Sequence, residues 1–238
     1  MTPKTRADRQ SVSGPTPGPN DDYSGWMMFQ HTGPLYLPGL TAEQVDIRDI
    51  LPSLGAMPRF NGQSRTPVTV LWHSLMVAEV CQDRRRARVL EALFHDAAEA
   101  YVGDLIRPLD RHAGQELKDL RTAIQARCFE AVGLPPLAKL SPSVKRADDL
   151  MLRYELQASW GFRRTASWHK PPTSDELCTV EKAMRLYGTP DANPGTADRL
   201  RLTFANLMHQ LAGPKAPIRR SLEQVLRNHA QNTDEPQP

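Results

Sequence analysis

The chain has 238 residues, of which 39% are hydrophobic, so it can bury one sizeable core. It contains no run of about 18 apolar residues, and its first twenty residues include no apolar segment. We therefore expect no membrane span and no secretory signal, and a cytoplasmic location. The formal net charge of +3 is small for this length and argues against a dedicated nucleic-acid-binding protein.

Composition divides the chain into one domain and two tails. Residues 1–22 and 231–238 are rich in polar residues and proline, and both are predicted to be disordered. The intervening residues 23–230 are predicted to form a single all-α domain, because their apolar residues recur at helical spacing and period-2 alternation is nearly absent.

The predicted helices follow one another along this domain. A short helix over 45–51 precedes an irregular loop. Thr66 and Pro67 provide a cap and a first-turn proline for a helix over 68–81. Residues 86–102 are predicted as one continuous helix that ends at Gly103. Further helices are predicted over 117–131, 142–158, 174–186, 197–211 and 217–229.

Potential metal ligands fall on three of these helices. His73 lies on the helix over 68–81, His95 and Asp96 on the next, and Asp148 or Asp149 on the helix over 142–158. Imidazole and carboxylate groups suit zinc, manganese, iron or cobalt, and three or four protein ligands leave room for water. Such an ion activates water and offsets charge on a phosphoryl oxygen. Spacing alone does not distinguish this metal site from the alternative, in which the histidines are ordinary core residues and the two aspartates belong to a solvated helix face.

Two further carboxylates follow the His-Asp pair. Glu99 comes one helical turn after His95, where it can orient a water molecule or transfer a proton. Asp104 lies in the loop after Gly103 and can accept a hydrogen bond from a substrate hydroxyl.

Three cysteines, Cys81, Cys128 and Cys178, are about fifty residues apart and form no CxxC pair. A cysteine zinc site or a disulfide framework is therefore not expected, and we interpret them as reduced, buried thiols.

Several stretches resemble the HD-domain superfamily of metal-dependent phosphohydrolases. They are VTVLWHSLMVAEV, ALFHDAAEAYVGDLIRPL and VKRADDLMLRYE, and the run HDAAEAYVGD is the most specific. More narrowly, they resemble the branch of the 5′-deoxynucleotidases and phage-type HD hydrolases. The upstream segment VDIRDILPSLGAMPRFNGQSR is similar to the Arg-aromatic-x-Gly loop of that branch. The resemblance covers about residues 28–160.

This resemblance implies a role for each candidate residue. One divalent transition metal ion (Mn²⁺, Co²⁺, Zn²⁺ or Fe²⁺) is expected on four ligands, with Asp148 preferred to Asp149 because Glu155 follows it by seven residues. Glu99 is then the catalytic acid. The four ligands are His73, His95, Asp96 and Asp148, and the substrate contacts are Arg59 with the phosphate and Asp104 with the deoxyribose.

The expected activity is hydrolysis of deoxynucleoside 5′-monophosphates to deoxynucleoside and phosphate. A deoxynucleoside triphosphate hydrolase, or an enzyme that cleaves at the diphosphate, is the first alternative, since Asp110 stands where the family often has lysine. A non-catalytic helical nucleotide sensor or scaffold is the second. Residues 84–86 are three consecutive arginines. We interpret them as the solvated start of a helix in preference to a nucleic-acid-binding patch. The sequence is also compatible with a homodimer or a higher homo-oligomer.

Overall fold

Helices build the fold, as the apolar spacing predicts, with one small hairpin at the N-terminal end. The computed structural model describes residues 25–137, 139–161, 170–190 and 193–233. The tail predicted for 1–22 lies outside these residues. The last helix ends at Thr233, three residues into the stretch predicted as the C-terminal tail, and 234–238 lie outside the described residues.

The hairpin is not anticipated by the sequence. Strands β1 (Trp26–Phe29) and β2 (Gly33–Tyr36) pair antiparallel, with Trp26 opposite Tyr36. Four residues per strand are too few to produce a recognisable period-2 pattern. The turn is fixed from outside, because the Asp49 carboxylate accepts hydrogen bonds from two turn N–H groups at 2.8 and 3.1 Å.

Helices make up most of the rest, and short 3₁₀ turns occur at Leu37–Gly39, Ala42–Gln44 and Arg59–Gly62. Across the described ranges, no helix is both long and apolar enough to cross a bilayer. The helices are α1 (Ile47–Ala56), α2 (Val70–Val80), α3 (Arg86–Phe94), α4 (Glu99–Val102), α5 (Arg107–Asp110), α6 (Gln115–Ala131), α7 (Pro142–Trp160), α8 (Ser174–Tyr187), α9 (Pro194–Leu211) and α10 (Arg219–Thr233).

Helix α2 lies at the centre of the core. It is buried on nearly every face and contacts α1, α3, α7, α8 and α9. Its N-terminal cap is Thr69, whose hydroxyl accepts from the Trp72 N–H at 3.2 Å, so the predicted cap at Thr66 and Pro67 is wrong. The backbone carbonyl of Val68 instead accepts from Arg59, which keeps the chain extended up to Thr69.

The helix predicted over 86–102 is broken in the structure. Helix α3 ends at Phe94 and α4 begins at Glu99, with tighter turns between them. Gln125 of α6 explains the break, since its amide donates to the Phe94 carbonyl at 2.7 Å and accepts from the Ala98 N–H at 3.1 Å. These are the two groups that a continuous α-helix would join to each other. The predicted stop at Gly103 is confirmed by its positive φ of 83°.

Helix α1 is longer than predicted. It passes through Pro52 to Ala56, although proline removes one backbone donor. The Asp46 side chain caps its first turn through the Arg48 N–H at 2.8 Å, and burial of its apolar face against the core stabilises the remainder.

Two of the three cysteines match the prediction of buried thiols. Cys81 and Cys128 are buried, whereas Cys178 is exposed. The prediction is wrong for Cys178 because this residue lies on a solvent-facing part of α8.

Candidate metal centre and active site

Four predicted ligands converge from three parts of the fold. His73 comes from the buried middle of α2, His95 and Asp96 from the turn after α3, and Asp148 from the second turn of α7. The ligand atoms of His73, His95 and Asp96 all lie within 4.8 Å of one another. Asp148 Oδ1 lies 3.4 Å from His73 Nε2 and 3.9 Å from His95 Nε2.

These distances suit a single ion. Asp96 Oδ2 lies 3.1 Å from His95 Nε2 and 3.8 Å from His73 Nε2. Two atoms bound to one ion at roughly 2.1 Å are about 3.0 Å apart at a right angle and about 3.4 Å apart at a tetrahedral angle. The His73, His95 and Asp96 cluster is therefore a possible metal site, and Asp148 is placed to join it.

The imidazoles are oriented by bonds on their other nitrogen. His73 Nδ1 is 2.6 Å from Glu155 Oε1, and His95 Nδ1 donates to the Ala92 carbonyl at 2.8 Å. Carbonyl and carboxylate oxygens accept, so each ring carries a proton on Nδ1 and directs Nε2 at the cluster. Both Nε2 atoms are buried and find no hydrogen-bond partner in the described part of the chain.

The charges around the cluster favour a cation. Burial lowers the pKa of His73, but the carboxylates of Glu155 and Asp148 outweigh this effect and raise it to about 9. Burial raises the pKa of Asp96, but His95, His73 and Arg59 hold it at about 2. The pKa of Asp148 is likewise well below its usual value, since the two histidines and Lys145 overcome its burial. The cluster thus attracts positive charge at Nε2, whether from a proton or a metal ion.

Arg59 lies beside the cluster, held by Glu155. Its Nε donates to Glu155 Oε2 at 2.9 Å, and its Nη1 lies 3.5 Å from Asp96 Oδ2. Glu155 is fully buried. One of its carboxylate oxygens contacts Arg59 and the other contacts His73, so it joins the two side chains. Glu155 is absent from the predicted site residues, although its spacing of seven from Asp148, two turns on the same face of α7, is a readable signal.

The loop that carries Arg59 has an uncommon backbone. Phe60 and Asn61 both have φ of 55°, in the left-handed region, and Gly62 has φ of 73°. The Phe60 ring contacts Trp160 at the end of α7 edge to face, with centroids 5.2 Å apart. Packing against the same helix that carries Asp148 and Glu155 holds this strained turn in place.

Asp148 and its neighbour Asp149 face different surroundings. The Asp148 side chain is 14% exposed and reaches the histidines, whereas the Asp149 side chain is 47% exposed. Lys145 Nζ contacts both carboxylates at 2.9 Å, and Arg107 lies 3.3 Å from Asp149 Oδ1. Asp148 therefore faces the histidines of the cluster, whereas Asp149 lies in a surface ion-pair network.

Glu99 and Asp104 lie near the cluster on the far side of the break after α3. Glu99 is the first residue of α4, and its Oε2 is buried without a hydrogen-bond partner among the described residues. Burial raises the pKa of Glu99 well above its usual value, and Asp96 and Asp104 add to the effect. Burial also raises the pKa of Asp104, against the opposing charge of Arg59.

The arginines at 84–86 are engaged within the fold. Arg85 pairs with Asp83, Arg84 donates to the Ala78 carbonyl at 2.9 Å, and Arg86 donates to the Leu211 carbonyl. Arg84 and Arg86 thus contact the C-terminal ends of α2 and α9.

Comparison with known proteins places the chain among relatives. No family model matches it. It is 30% identical over 178 residues to the uncharacterized protein RCAP_rcc00048 of Rhodobacter capsulatus. The match covers 70% of this chain and 89% of that protein. The chain belongs to the family of that protein. It is also 33% identical over 120 residues to the uncharacterized protein YfdR of Escherichia coli, a match that covers 50% of this chain and 64% of YfdR.

Proposed function

We propose that the protein is a metal-dependent phosphohydrolase of the HD-domain superfamily that cleaves deoxynucleoside 5′-monophosphates to deoxynucleoside and phosphate. One observation carries the proposal. The buried Nε2 atoms of His73 and His95 face Asp96 and Asp148 and have no partner in the described ranges, while each Nδ1 is fixed by a hydrogen bond. Buried polar atoms of this kind are rare unless a ligand satisfies them.

The donor set fits a divalent transition metal ion, since neutral imidazole nitrogens and carboxylate oxygens are ligands that such ions prefer. Bound there, the ion supplies a Lewis acid that activates water and neutralises charge on a phosphoryl oxygen. His73, His95, Asp96 and Asp148 would hold it, with Glu155 and the Ala92 carbonyl fixing the two imidazoles.

The remaining residues act on the substrate. Arg59 is fixed next to Asp96 by Glu155, and its planar guanidinium suits phosphate oxygens. The raised pKa of Glu99 suits a group that holds and moves a proton as the ester bond breaks. Asp104 has the role of accepting a hydrogen bond from the sugar.

Removal of the metal is expected to abolish hydrolysis. The full chain, treated with a chelator and dialysed, should release no phosphate from deoxynucleotides and should recover activity with Mn²⁺, Co²⁺, Zn²⁺ or Fe²⁺. A panel of mono-, di- and triphosphates of each nucleoside, with phosphate, diphosphate and triphosphate measured separately, identifies the bond that is cut. Full activity in protein that contains no metal by elemental analysis would falsify the metal-dependent mechanism.

Deoxynucleotides are expected to react faster than ribonucleotides. A pocket in which Asp104 accepts from the sugar hydroxyl is shaped around that sugar, and an added 2′-hydroxyl then clashes or lacks a partner. The measurement is kcat/KM for matched deoxy and ribo pairs of one base. Equal values for the two series would remove the assignment of Asp104 and leave a general phosphohydrolase.

Two alternatives remain for the same site. In a deoxynucleoside triphosphate hydrolase, the panel would yield triphosphate or diphosphate instead of phosphate. In a non-catalytic nucleotide sensor, nucleotides would bind to the metal-loaded chain without turnover.

A further inference from the structure

Arg59 places a positive charge beside the atoms that would hold the metal ion. Its Nη1 lies 3.5 Å from Asp96 Oδ2, and the same oxygen faces Nε2 of His73 at 3.8 Å and Nε2 of His95 at 3.1 Å. The guanidinium is always protonated, and its side chain is only 11% exposed, so water screens its charge poorly. Without a counter-charge, Arg59 would repel a divalent cation from the cluster and compete with it for Asp96.

Glu155 supplies that counter-charge. Its Oε2 accepts a hydrogen bond from Arg59 Nε at 2.9 Å, and its Oε1 lies 2.6 Å from Nδ1 of His73, on the opposite side of the ring from Nε2 and the cluster. The carboxylate has no exposed surface, so solvent does not weaken its interaction with the guanidinium. Since Glu155 is not one of the four expected ligands, its charge is available to offset Arg59 when the ligands bind an ion.

A second cation of the site has a similar arrangement, but in water. Lys145 Nζ lies 2.9 Å from Asp148, an expected ligand, and 2.9 Å from Asp149, which is not a ligand. The side chains of Lys145 and Asp149 are each 47% exposed, so solvent can replace Asp149 as the partner of the ammonium group. Arg59 has no such exposure, and Glu155 is its one non-ligand ion-pair partner in the part of the chain that the structure describes. The need for a protein counter-charge is therefore specific to the buried pair.

We propose that Glu155 is a positioning residue of the metal centre, whose negative charge allows a divalent cation to bind at Asp96 beside the buried Arg59. Glu155 acts on the ion through Arg59 and not by contact. This role differs from merely fixing the tautomer of His73, because a neutral amide oxygen can also accept the hydrogen bond from Nδ1. The inference rests on the metal site of the proposed function, but on neither the substrate nor the reaction.

Calorimetric titration of the metal-free full chain with Mn²⁺ tests this role without turnover. Glu155→Gln keeps an acceptor for His73 but removes the charge, and the affinity for Mn²⁺ should fall about 10- to 100-fold, as it does when other groups that support a metal ligand are lost. The double variant Arg59→Gln/Glu155→Gln removes both charges, so it should recover Mn²⁺ binding to within about threefold of the wild type. The matched control is Asp149→Asn, which takes an exposed partner from Lys145 and should also stay within about threefold of the wild type.

Two results overturn the inference. One is unchanged Mn²⁺ affinity in Glu155→Gln. The other is a double variant that binds as weakly as Glu155→Gln, which would make Glu155 only a structural support of His73. Circular dichroism monitors folding. If Glu155→Gln does not fold, the double variant decides by itself, and a loss of about tenfold or more relative to the wild type overturns the inference.

The same titrations separate this inference from the proposed function. The expected pattern of Mn²⁺ affinities in a protein that hydrolyses no nucleotide keeps the role of Glu155 and removes the proposed reaction. Normal hydrolysis without that pattern does the reverse. A wild-type chain that binds no Mn²⁺ overturns the role of Glu155 together with the metal site.

Discussion

Asp148→Asn is expected to abolish metal binding and hydrolysis, whereas Asp149→Asn leaves both close to wild type. Asp148 Oδ1 lies 3.4 Å from His73 Nε2, and its side chain is mostly buried. The substitution keeps the shape of the side chain but removes its negative charge from the cluster. Loss of groups that merely support a ligand costs 10- to 100-fold in metal affinity, so loss of a ligand should cost at least about 10²-fold.

Asp149 is a closely matched control. Lys145 contacts both carboxylates at the same distance, so each substitution removes one of its partners. Asp149 is half exposed, and exposed ion pairs contribute about 1 kcal/mol or less to stability. Metal content by elemental analysis and phosphate release are measured on both variants. Retention of metal by Asp148→Asn, with loss in Asp149→Asn, would mean that the wrong face of α7 has been assigned to the ion.

The sequence is most informative where one helix face carries the property. Helix α2 is apolar at almost every position, which predicts a buried helix and hence a buried His73. Asp148 and Glu155 are two turns apart on α7, which predicts that both meet the same neighbours. In the structure both contact His73, one on each ring nitrogen. Local spacing therefore places Asp148 and Glu155 on one face of α7, and the packing of α7 against α2 brings that face to His73.

Features that depend on contacts between distant segments are not readable in this way. The break between α3 and α4 results from Gln125, about thirty residues further along the chain, whose amide replaces a backbone hydrogen bond. Apolar periodicity continues through the break, so the sequence predicts one helix. The left-handed Phe60 is a second example, because residues with a bulky side chain disfavour that region and the packing of its ring against Trp160 depends on tertiary structure.

The break also changes how Glu99 relates to the ligands. A continuous helix would place Glu99 one α-helical turn from His95. The bonds in the break are tighter instead, with the Glu99 N–H donating to the Asp96 carbonyl at 3.0 Å. Glu99 still lies near Asp96, and both residues line the same cavity. The proposed proton-transfer role of Glu99 therefore depends on tertiary structure as well as on its spacing from His95.

Glu99→Gln is expected to lower kcat by roughly 10²–10⁴-fold with little change in KM, because general acid–base catalysis contributes about that factor. The amide keeps the size of the side chain but cannot transfer a proton. The fold should tolerate the change, since Glu99 Oε2 has no hydrogen bond to lose among the described residues. Glu116→Gln, at an exposed position of α6, makes the same chemical change away from the site and should turn over normally.

Steady-state kinetics, metal content and thermal unfolding are measured on both variants. Normal turnover by Glu99→Gln would make Glu99 a structural carboxylate. Loss of the metal ion would make it a ligand, and one of the four assigned ligands would then be wrong.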